Sequence, residues 1–323
     1  MLDAFICDAV RTPIGRFGGS LASLRPDDMA AHVIAGLMTR HPSLDPHAID
    51  EVLFGCANQA GEDNRNVARM ASLLAGLPVE VPASTINRLC ASGMDSVVLA
   101  RRGIGVGDYQ LVFAGGVESM SRAPLVMSKA NHAFSRGQQM FDTTIGWRFV
   151  NPEMQAMYGV ESMPETAENV AVDYAISRQD QDAFALQSQQ RYAAADQAGV
   201  FADEILPVPM DHLAVPANLV DRDEHPRPQV TLEKLAKLPG VNGPGSSVTA
   251  GNASGINDGA ATLLLASQAA LSSHGLKPIA RIVASATAGV APRVMGIGPV
   301  PASQKALAKA GLTIDDMDVI EIN

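Results

Sequence analysis

The sequence has few aromatic residues, no excess of basic residues and no long apolar run, and each shortage excludes a class of protein. Aromatic residues make up only 4% of the 323 residues, which favours a core of small side chains. The net charge of −10 excludes nucleic acid as the main partner, because binding to phosphates needs a basic surface. No apolar run approaches membrane-spanning length, and no basic segment precedes the first apolar residues, so we expect a cytoplasmic protein without a membrane partner.

Cysteine is also scarce. The three cysteines, Cys7, Cys56 and Cys90, are widely spaced and include no Cys-x-x-Cys pair. That spacing supports neither a disulfide framework nor a cysteine zinc site, and we expect no metal site. Each thiol is therefore to be judged by its own surroundings.

Apolar residues are abundant, at 47%, together with 28 glycines, and this composition favours an α/β fold. Runs typical of strands cover residues 4–10, 49–55, 82–87 and 111–116, and helical spacing begins near residue 26, near residue 67 and just after Cys90. Such β-α-β alternation predicts a largely parallel, buried sheet.

The alternation stops after residue 117 and resumes near residue 248. The segment 118–247 is too long for a loop and is expected to be an inserted loop domain, with helices at 164–174 and 179–194. Residues 1–117 and 248–268 are then the two parts of one half of the fold.

From residue 269 the chain repeats its N-terminus. Residues 280–287, 301–310 and 317–322 match the first strand, the first helix and the second strand in position and type. We therefore expect a duplicated fold whose second half, residues 269–323, is incomplete.

Cys90 is the candidate nucleophile. A predicted strand, 82–87, precedes it, and Met94, Val97 and Val98 follow at helical spacing. The N-terminus of a helix carries partial positive charge, which favours a thiolate and can hold an oxyanion nearby. The pattern alone leaves two interpretations open, because a single cysteine is commonly a small buried apolar residue.

Five collinear motifs resemble those of one enzyme family. They are Cys-Asp-Ala-Val-Arg-Thr-Pro-Ile-Gly at 7–15, Gly-Cys-Ala-Asn-Gln-Ala-Gly-Glu-Asp-Asn-Arg-Asn at 55–66, Asn-Arg-Leu-Cys-Ala-Ser-Gly at 87–93, Gly-Gly-Val-Glu-Ser-Met-Ser at 115–121 and Thr-Ala-Gly-Asn-Ala-Ser-Gly at 249–255. On these motifs the chain resembles the thiolases over almost its whole length. The resemblance implies an αβαβα fold of two similar halves with an inserted loop domain, assembled as a homodimer or homotetramer.

The resemblance also implies a reaction. Thiolases cleave a 3-oxoacyl-CoA with coenzyme A to acetyl-CoA and a shortened acyl-CoA, through an acylated cysteine. Coenzyme A and acyl-CoA are the substrates, and no cofactor is permanently bound. Residues 140–149 and 162–169 resemble a subgroup that acts on 3-oxoadipyl-CoA in the degradation of aromatic compounds. Acetoacetyl-CoA is the alternative substrate.

Four site residues follow from the resemblance. By motif, Cys90 is the acylated nucleophile, and its own N–H is one oxyanion donor. Asn323 matches the asparagine that begins the family's Asn-Glu-Ala-Phe segment and positions a water in the other oxyanion hole. Ala250 and Ser254 fall in the loop that touches the pantetheine arm. Taken alone, Ser254 also suits a tight turn, and Asn323 a frayed end.

Three more residues complete the set. Met163 matches a methionine of the acyl pocket, and Arg227 matches an arginine near the nucleotide end of coenzyme A. Arg148 is a candidate partner for the distal carboxylate of a dicarboxylic substrate. The alternatives are a core methionine and two solvated arginines.

The sequence departs from the family in two motifs. The catalytic base, a histidine in Gly-His-Pro, and the second cysteine, in Cys-x-Gly-x-Gly, do not occur in the 323 residues. We therefore expect this chain to carry the nucleophile without its acid–base partners. Two interpretations stay open: an acyltransferase, or a fragment that is inert by itself.

Overall fold

The computed structural model describes residues 2–210 and 219–323, and its contacts divide them into two units. The first unit draws on described residues within 1–145, 190–228 and 255–281. The second draws on 146–189, 229–254 and 282–323. The domain boundaries expected from the sequence lie after residues 117, 247 and 268. They rest on the repeat in the sequence, whereas the two units are defined by contacts, so these boundaries stay a prediction.

The strands of the first unit form one large sheet and two small pairs. They are β1 (Ala4–Arg11), β2 (Gly15–Arg16), β3 (Glu51–Gly55), β4 (Ala83–Ile86), β5 (Leu111–Ser119), β6 (Leu125–Met127), β7 (Met140–Asp142), β8 (Val208–Pro209), β9 (Leu219–Val220), β10 (Asn257–Ser267) and β11 (Ala280–Arg281).

Helices α1, α2, α3 and α8 belong to the first unit, α4, α5, α7 and α9 to the second, and α6 contributes to both. In chain order they are α1 (Pro26–Arg40), α2 (Val67–Leu74), α3 (Ser92–Val106), α4 (Pro152–Tyr158), α5 (Met163–Asp173), α6 (Arg178–Gln197), α7 (Leu232–Ala236), α8 (Gln268–His274) and α9 (Pro299–Ala310). Short 3₁₀ turns occur at Pro46–Ala48, Pro292–Ile297 and Ile314–Asp316.

The large sheet is mixed. Among the described residues it contains seven strands in the order β11-β1-β10-β5-β3-β4, with β2 also paired to β10. β3 is parallel to β4 and β5, whereas β10 is antiparallel to β1 and β5. β1, β3, β4 and β5 therefore run in one direction and β10 in the other.

The prediction of a largely parallel sheet is wrong for the sheet's centre. Helices α1, α2 and α3 connect β1, β3, β4 and β5, and crossovers of this kind keep the four strands in one direction. β10 follows the long segment after β5 and enters between β1 and β5 the opposite way. Its apolar run carries no directional signal, so the sequence could not show this.

Helices cover both faces of the sheet. Leu111 and Phe113 of β5 join residues of α1 and α2 in the main apolar core. Val112 and Ala114 are equally buried and, because side chains alternate along a strand, lie on the opposite face, where α3 packs. This packing fixes the start of α3 at the carboxyl ends of β3 and β4.

The second repeat agrees with expectation in its helix and differs in its strands. α9 covers the predicted helix 301–310. The predicted strand 280–287 is reduced to the two residues of β11, and 317–322 has no strand. A strand persists only where a neighbour accepts its hydrogen bonds, and residues 317–322 have no such neighbour in the described parts of the chain.

The described ranges hold no helix that is both long enough and apolar enough to cross a membrane.

Candidate active site

The three thiols of the first unit differ in exposure. Cys7 and Cys56 are buried, and Cys90 is exposed in the turn between β4 and α3. Burial, with the nearby charge of Asp8, raises the pKa of the Cys7 thiol to about 11. Burial also raises the pKa of the Cys56 thiol, and the charges of Glu118 and Asp63 add to the effect. Two of the three cysteines are thus kept protonated at neutral pH.

A strained turn presents Cys90. The preceding residue, Leu89, has a φ of +50°, a left-handed conformation that costs a branched L-residue about 1 kcal/mol or more. Its N–H donates to Oδ1 of Asn87 at 2.8 Å, and its carbonyl accepts from Oγ of Ser92 at 2.6 Å. Ser92 Oγ also accepts from the N–H of Arg88, at 2.8 Å. These local bonds hold the turn on both sides of Leu89.

The start of α3 lies against the sheet because two glycines leave room for it. A Cβ at Gly55 would collide with the carbonyl carbon of Ser92, and a Cβ at Gly116 would lie 3.3 Å from Cα of Gly93. Cys90 comes one residue before the N-cap, Ala91, and a helix start of this kind offers N–H groups to an anion. Of these N–H groups, those of Ala91 and Ser92 already donate to the carbonyls of Arg88 and Leu89, at 3.2 and 3.0 Å, so the turn itself delivers an accessible thiol at the start of the helix.

A second cluster brings together Cys56 and Asp63, which follow β3, and Glu118, which lies near the end of β5. Their ligand-type atoms lie within 4.8 Å of one another. Cys56 Sγ is 3.0 Å from the carbonyl oxygen of Asn58, 3.8 Å from Asp63 Oδ2 and 3.9 Å from Glu118 Oε1. Burial raises the pKa of both carboxyl groups.

Backbone groups already occupy much of this cluster. The Glu118 carboxylate accepts N–H groups of Ala57 at 2.8 Å and Asn58 at 3.2 Å, and Asp63 accepts the N–H of Gly61 at 2.8 Å. These bonds give the cluster a structural role without an ion, and the expectation of no metal site stays a prediction.

In the second unit, Ala250 and Ser254 share one exposed loop, as their motif predicts. Asn252 fixes that loop: Oδ1 accepts the N–H of Thr249 at 2.7 Å, and Nδ2 donates to Asp182 Oδ1 at 2.9 Å. Asp182 is buried and pairs with Arg178 at 2.8 Å.

The other predicted residues occupy separate positions. Met163 begins α5 and is 54% exposed, Arg148 is half-buried between α4 and the β7 strand, and Asn323 is exposed. Arg227, in the first unit with Cys90, donates through Nη1 to the carbonyls of residues 224–226 at 2.8–3.0 Å. Ala250 and Ser254 share a loop. The other predicted site residues each lie on a different element of their unit.

Sequence reasoning missed Asn87, the left-handed Leu89 and the cluster around Glu118. It also missed the pair of Arg178 and Asp182, for which a signal existed: opposite charges four residues apart at the start of the predicted helix 179–194. The cluster around Glu118 and the bond from Asn87 to Ala57 carry no local signal, because they join distant segments.

Comparisons with known proteins agree with the motifs. The family model described as "Thiolase, N-terminal domain" matches residues 4–269, and "Thiolase, C-terminal domain" matches residues 276–323. The chain is 63% identical over 321 residues to the beta-ketoadipyl-CoA thiolase of Pseudomonas aeruginosa, covering 99% of this chain and 80% of the relative. It is 59% identical over 323 residues to the 3-oxoadipyl-CoA/3-oxo-5,6-dehydrosuberyl-CoA thiolase of Escherichia coli K12, covering 100% and 80%.

A solved structure gives the same result. The crystal structure of human mitochondrial 3-ketoacyl-CoA thiolase in complex with CoA aligns with a TM-score of 0.90 and 40% identity, covering 100% of this chain and 79% of the human one. The fold and the motifs around Cys90 define an acyltransferase that uses CoA thioesters as substrates. The chain belongs to the thiolase family.

Proposed function

We propose that this thiolase cleaves 3-oxoadipyl-CoA with coenzyme A, giving acetyl-CoA and an acyl-CoA shortened by the acetyl unit. The observation that carries the proposal is 63% and 59% identity, over nearly the whole chain, with two relatives named for this substrate. Cys90 is the proposed nucleophile, because it is the exposed thiol and directly precedes the N-cap of α3.

The proposed steps follow from the thiol. The Cys90 thiolate attacks the 3-oxo carbon, and the bond between that carbon and the acetyl unit breaks with its electron pair on the acetyl unit. A proton completes acetyl-CoA, and the thiol of coenzyme A then takes the acyl group from Cys90. The family supplies the proton transfers through Gly-His-Pro and Cys-x-Gly-x-Gly segments, which do not occur in the 323 residues.

Arg148 is the proposed partner of the distal carboxylate. Two other arginines of the second unit have acidic partners: Arg178 pairs with Asp182 at 2.8 Å and Arg293 with Asp173 at 2.6 Å. No such partner of Arg148 exists in residues 2–210 and 219–323, although its side chain is half-buried. A partly buried arginine that has no acidic partner among the described residues suits recognition of a dicarboxylic substrate.

Substrate preference tests this proposal. Turnover is measured on an extended chain, to which the part of the P. aeruginosa relative beyond the covered 80% is added. We expect kcat/KM for 3-oxoadipyl-CoA to exceed that for acetoacetyl-CoA. In Arg148→Ala, kcat/KM for the dicarboxylic substrate should fall by about 100-fold, because the carboxylate loses its partner, while that for acetoacetyl-CoA changes little.

Arg293→Ala is the matched control, because it removes another arginine of the same unit. It should affect both substrates equally. A parent that prefers acetoacetyl-CoA contradicts the substrate, and an unchanged preference in Arg148→Ala contradicts the role of Arg148.

The remaining contacts are proposed by motif. Ala250 and Ser254 would contact the pantetheine arm, Arg227 the nucleotide end and Met163 the acyl chain, while Asn323 would position a water for the second oxyanion hole. Truncating the side chain of Ser254 or Arg227 should raise KM for coenzyme A with little change in kcat, because these contacts are made equally in the ground and transition states. A fall in kcat alone would contradict this assignment.

We also propose a cytoplasmic homodimer or homotetramer that serves the degradation of aromatic compounds. The β6–β7 pair supports association, since Leu125, Met127 and Met140 are each more than half exposed, and contiguous apolar surface favours contact between copies. Light scattering at micromolar concentration should detect dimers or tetramers; a stable monomer would contradict the assembly.

A further inference from the structure

We propose that Asn87 and Glu118 are positioning residues for Cys90: Glu118 fixes the loop after β3, and Asn87 connects that loop to the turn that carries the thiol. The inference rests on the proposed role of Cys90 as nucleophile. Neither residue is assigned a role by the motifs above.

The Asn87 side chain donates one hydrogen bond to the loop after β3 and accepts one from its own turn. Its Nδ2 donates to the carbonyl of Ala57 at 2.9 Å, and its Oδ1 accepts the N–H of Leu89 at 2.8 Å. The first bond reaches the neighbouring loop, and the second closes an Asx-type turn next to the left-handed Leu89. One side chain thus ties a strained residue, directly before Cys90, to a fixed point outside the turn.

Glu118 holds the loop residue Ala57, to which Asn87 is bonded, in place. Both of its oxygens accept backbone N–H groups, from Ala57 at 2.8 Å and Asn58 at 3.2 Å. The same peptide segment that receives Asn87 is therefore held from its other side by a carboxylate at the end of β5. Cys56 adds a backbone bond of 3.0 Å to the carbonyl of Ile86, which joins the loop to β4.

Strain explains why such a connection matters. Leu89 holds its left-handed conformation only while surrounding bonds over-determine it, and a relaxed turn would carry Cys90 away from the start of α3. Acyl transfer needs the sulfur aligned with its oxyanion donors, so loss of the connection should reduce the rate of chemistry rather than the binding of coenzyme A.

The test compares Asn87→Ala and Asn87→Ser in the extended chain. Asn87→Ala should lower kcat by about five- to thirtyfold with KM changed less than twofold. Serine retains an oxygen that can accept the Leu89 N–H, so Asn87→Ser should recover part of the loss. Glu118→Gln should lower kcat by about two- to fivefold, and the double variant Asn87→Ala/Glu118→Gln should match Asn87→Ala alone, because both act through one connection.

Asn66→Ala is the matched control. Asn66 also donates to a backbone carbonyl of β4, Ala83 at 3.1 Å, and it caps α2, but it does not contact the turn. It should cost stability without a selective loss of kcat. Hydrogen exchange of the peptide 87–93, measured on the 323-residue chain, should accelerate in Asn87→Ala and stay unchanged in Asn66→Ala.

The possible results separate the two proposals. A kcat for Asn87→Ala within twofold of the parent, an equal loss in Asn66→Ala, or multiplicative losses in the double variant would overturn the inference. If Cys90→Ala retains acyl transfer, the proposed nucleophile is wrong, whereas the exchange of peptide 87–93 still decides whether Asn87 holds the turn. If Glu118→Gln does not fold, the comparison of alanine with serine at Asn87 decides.

Discussion

Cys56 and Cys90 follow the same edge of one sheet. β3 and β4 are neighbouring parallel strands, aligned so that Gly55 pairs with Ile86, and each cysteine comes just after its strand. Cys56 is buried beside two carboxyl groups, whereas Cys90 lies in an exposed turn before a helix. Position at the end of a strand is thus common to both thiols and cannot by itself select a nucleophile.

The surroundings make the selection. Burial and two carboxyl groups disfavour the thiolate of Cys56 and raise its pKa, so its sulfur acts as a hydrogen-bond donor to the Asn58 carbonyl. Cys90 is open to a ligand and has small neighbours on its C-terminal side. We infer that the cluster around Cys56 supports the turn, and that the turn exposes Cys90 to the substrate.

The strongest test of this contrast is to remove each thiol. In the extended chain, Cys90→Ala should lower kcat by roughly 10⁴-fold or more, because a covalent intermediate cannot form without the sulfur. Cys56→Ala should retain at least about a tenth of the rate, and Cys7→Ala should be close to the parent. The measurement is steady-state thiolysis, with unfolding temperature recorded for each variant. Similar losses at positions 56 and 90 would contradict the contrast.

Alkylation compares the thiols without any activity. At pH 8 a thiol of pKa about 11, such as Cys7, is only about one-thousandth thiolate. Cys7 and Cys56 are also buried, so limited treatment with iodoacetamide should label Cys90 at least about 100-fold faster than either. Peptide mapping measures the three rates in one sample. Faster labelling of Cys7 or Cys56 would remove the basis for Cys90 as nucleophile.

The sequence predicted local features well. The helices that start at Pro26, Val67 and Ser92 and the strands β1, β3, β4 and β5 all lie where spacing placed them, because each depends on residues near in sequence. The turn at Cys90 was predicted for the same reason. The thiolase family, its fold and its reaction class followed from the motifs and are confirmed by the comparisons.

Features made by distant residues were not predicted. The antiparallel entry of β10 depends on how residues after the long insertion return to the sheet. Glu118 and Cys56 are 62 positions apart, and Asn87 reaches Ala57 across 30 positions. The roles of Arg148, Met163, Arg227, Ala250, Ser254 and Asn323 stay predictions, because exposure and local bonds do not identify a ligand.

A smaller effect is expected on stability at the Cys56 cluster. Burial holds the pKa of Glu118 above its ordinary 4.5, so between 4.5 and the raised value the folded chain keeps a proton that the unfolded chain releases. Stability therefore falls as pH rises through that window, and the cost is complete above it. Glu118→Gln should reduce this pH dependence, measured by urea unfolding at pH 4.5 and pH 8. Burial also raises the pKa of Asp63, so part of the fall in stability with pH should remain in this variant.

The smallest effect concerns Leu89, the residue that orients Cys90. Its side chain is 68% exposed, so a substitution changes mainly the backbone preference. Glycine adopts a positive φ without strain but loses more entropy on folding, and the two terms offset each other; Leu89→Gly should change the free energy of unfolding by less than about 0.5 kcal/mol. Leu89→Val should cost about 1 kcal/mol more, because a β-branched residue tolerates this conformation poorly. Urea unfolding of both variants measures the difference. Equal stability of the glycine and valine variants would mean that the turn relaxes in solution, and the contrast between a presented and a buried thiol would then rest on exposure alone.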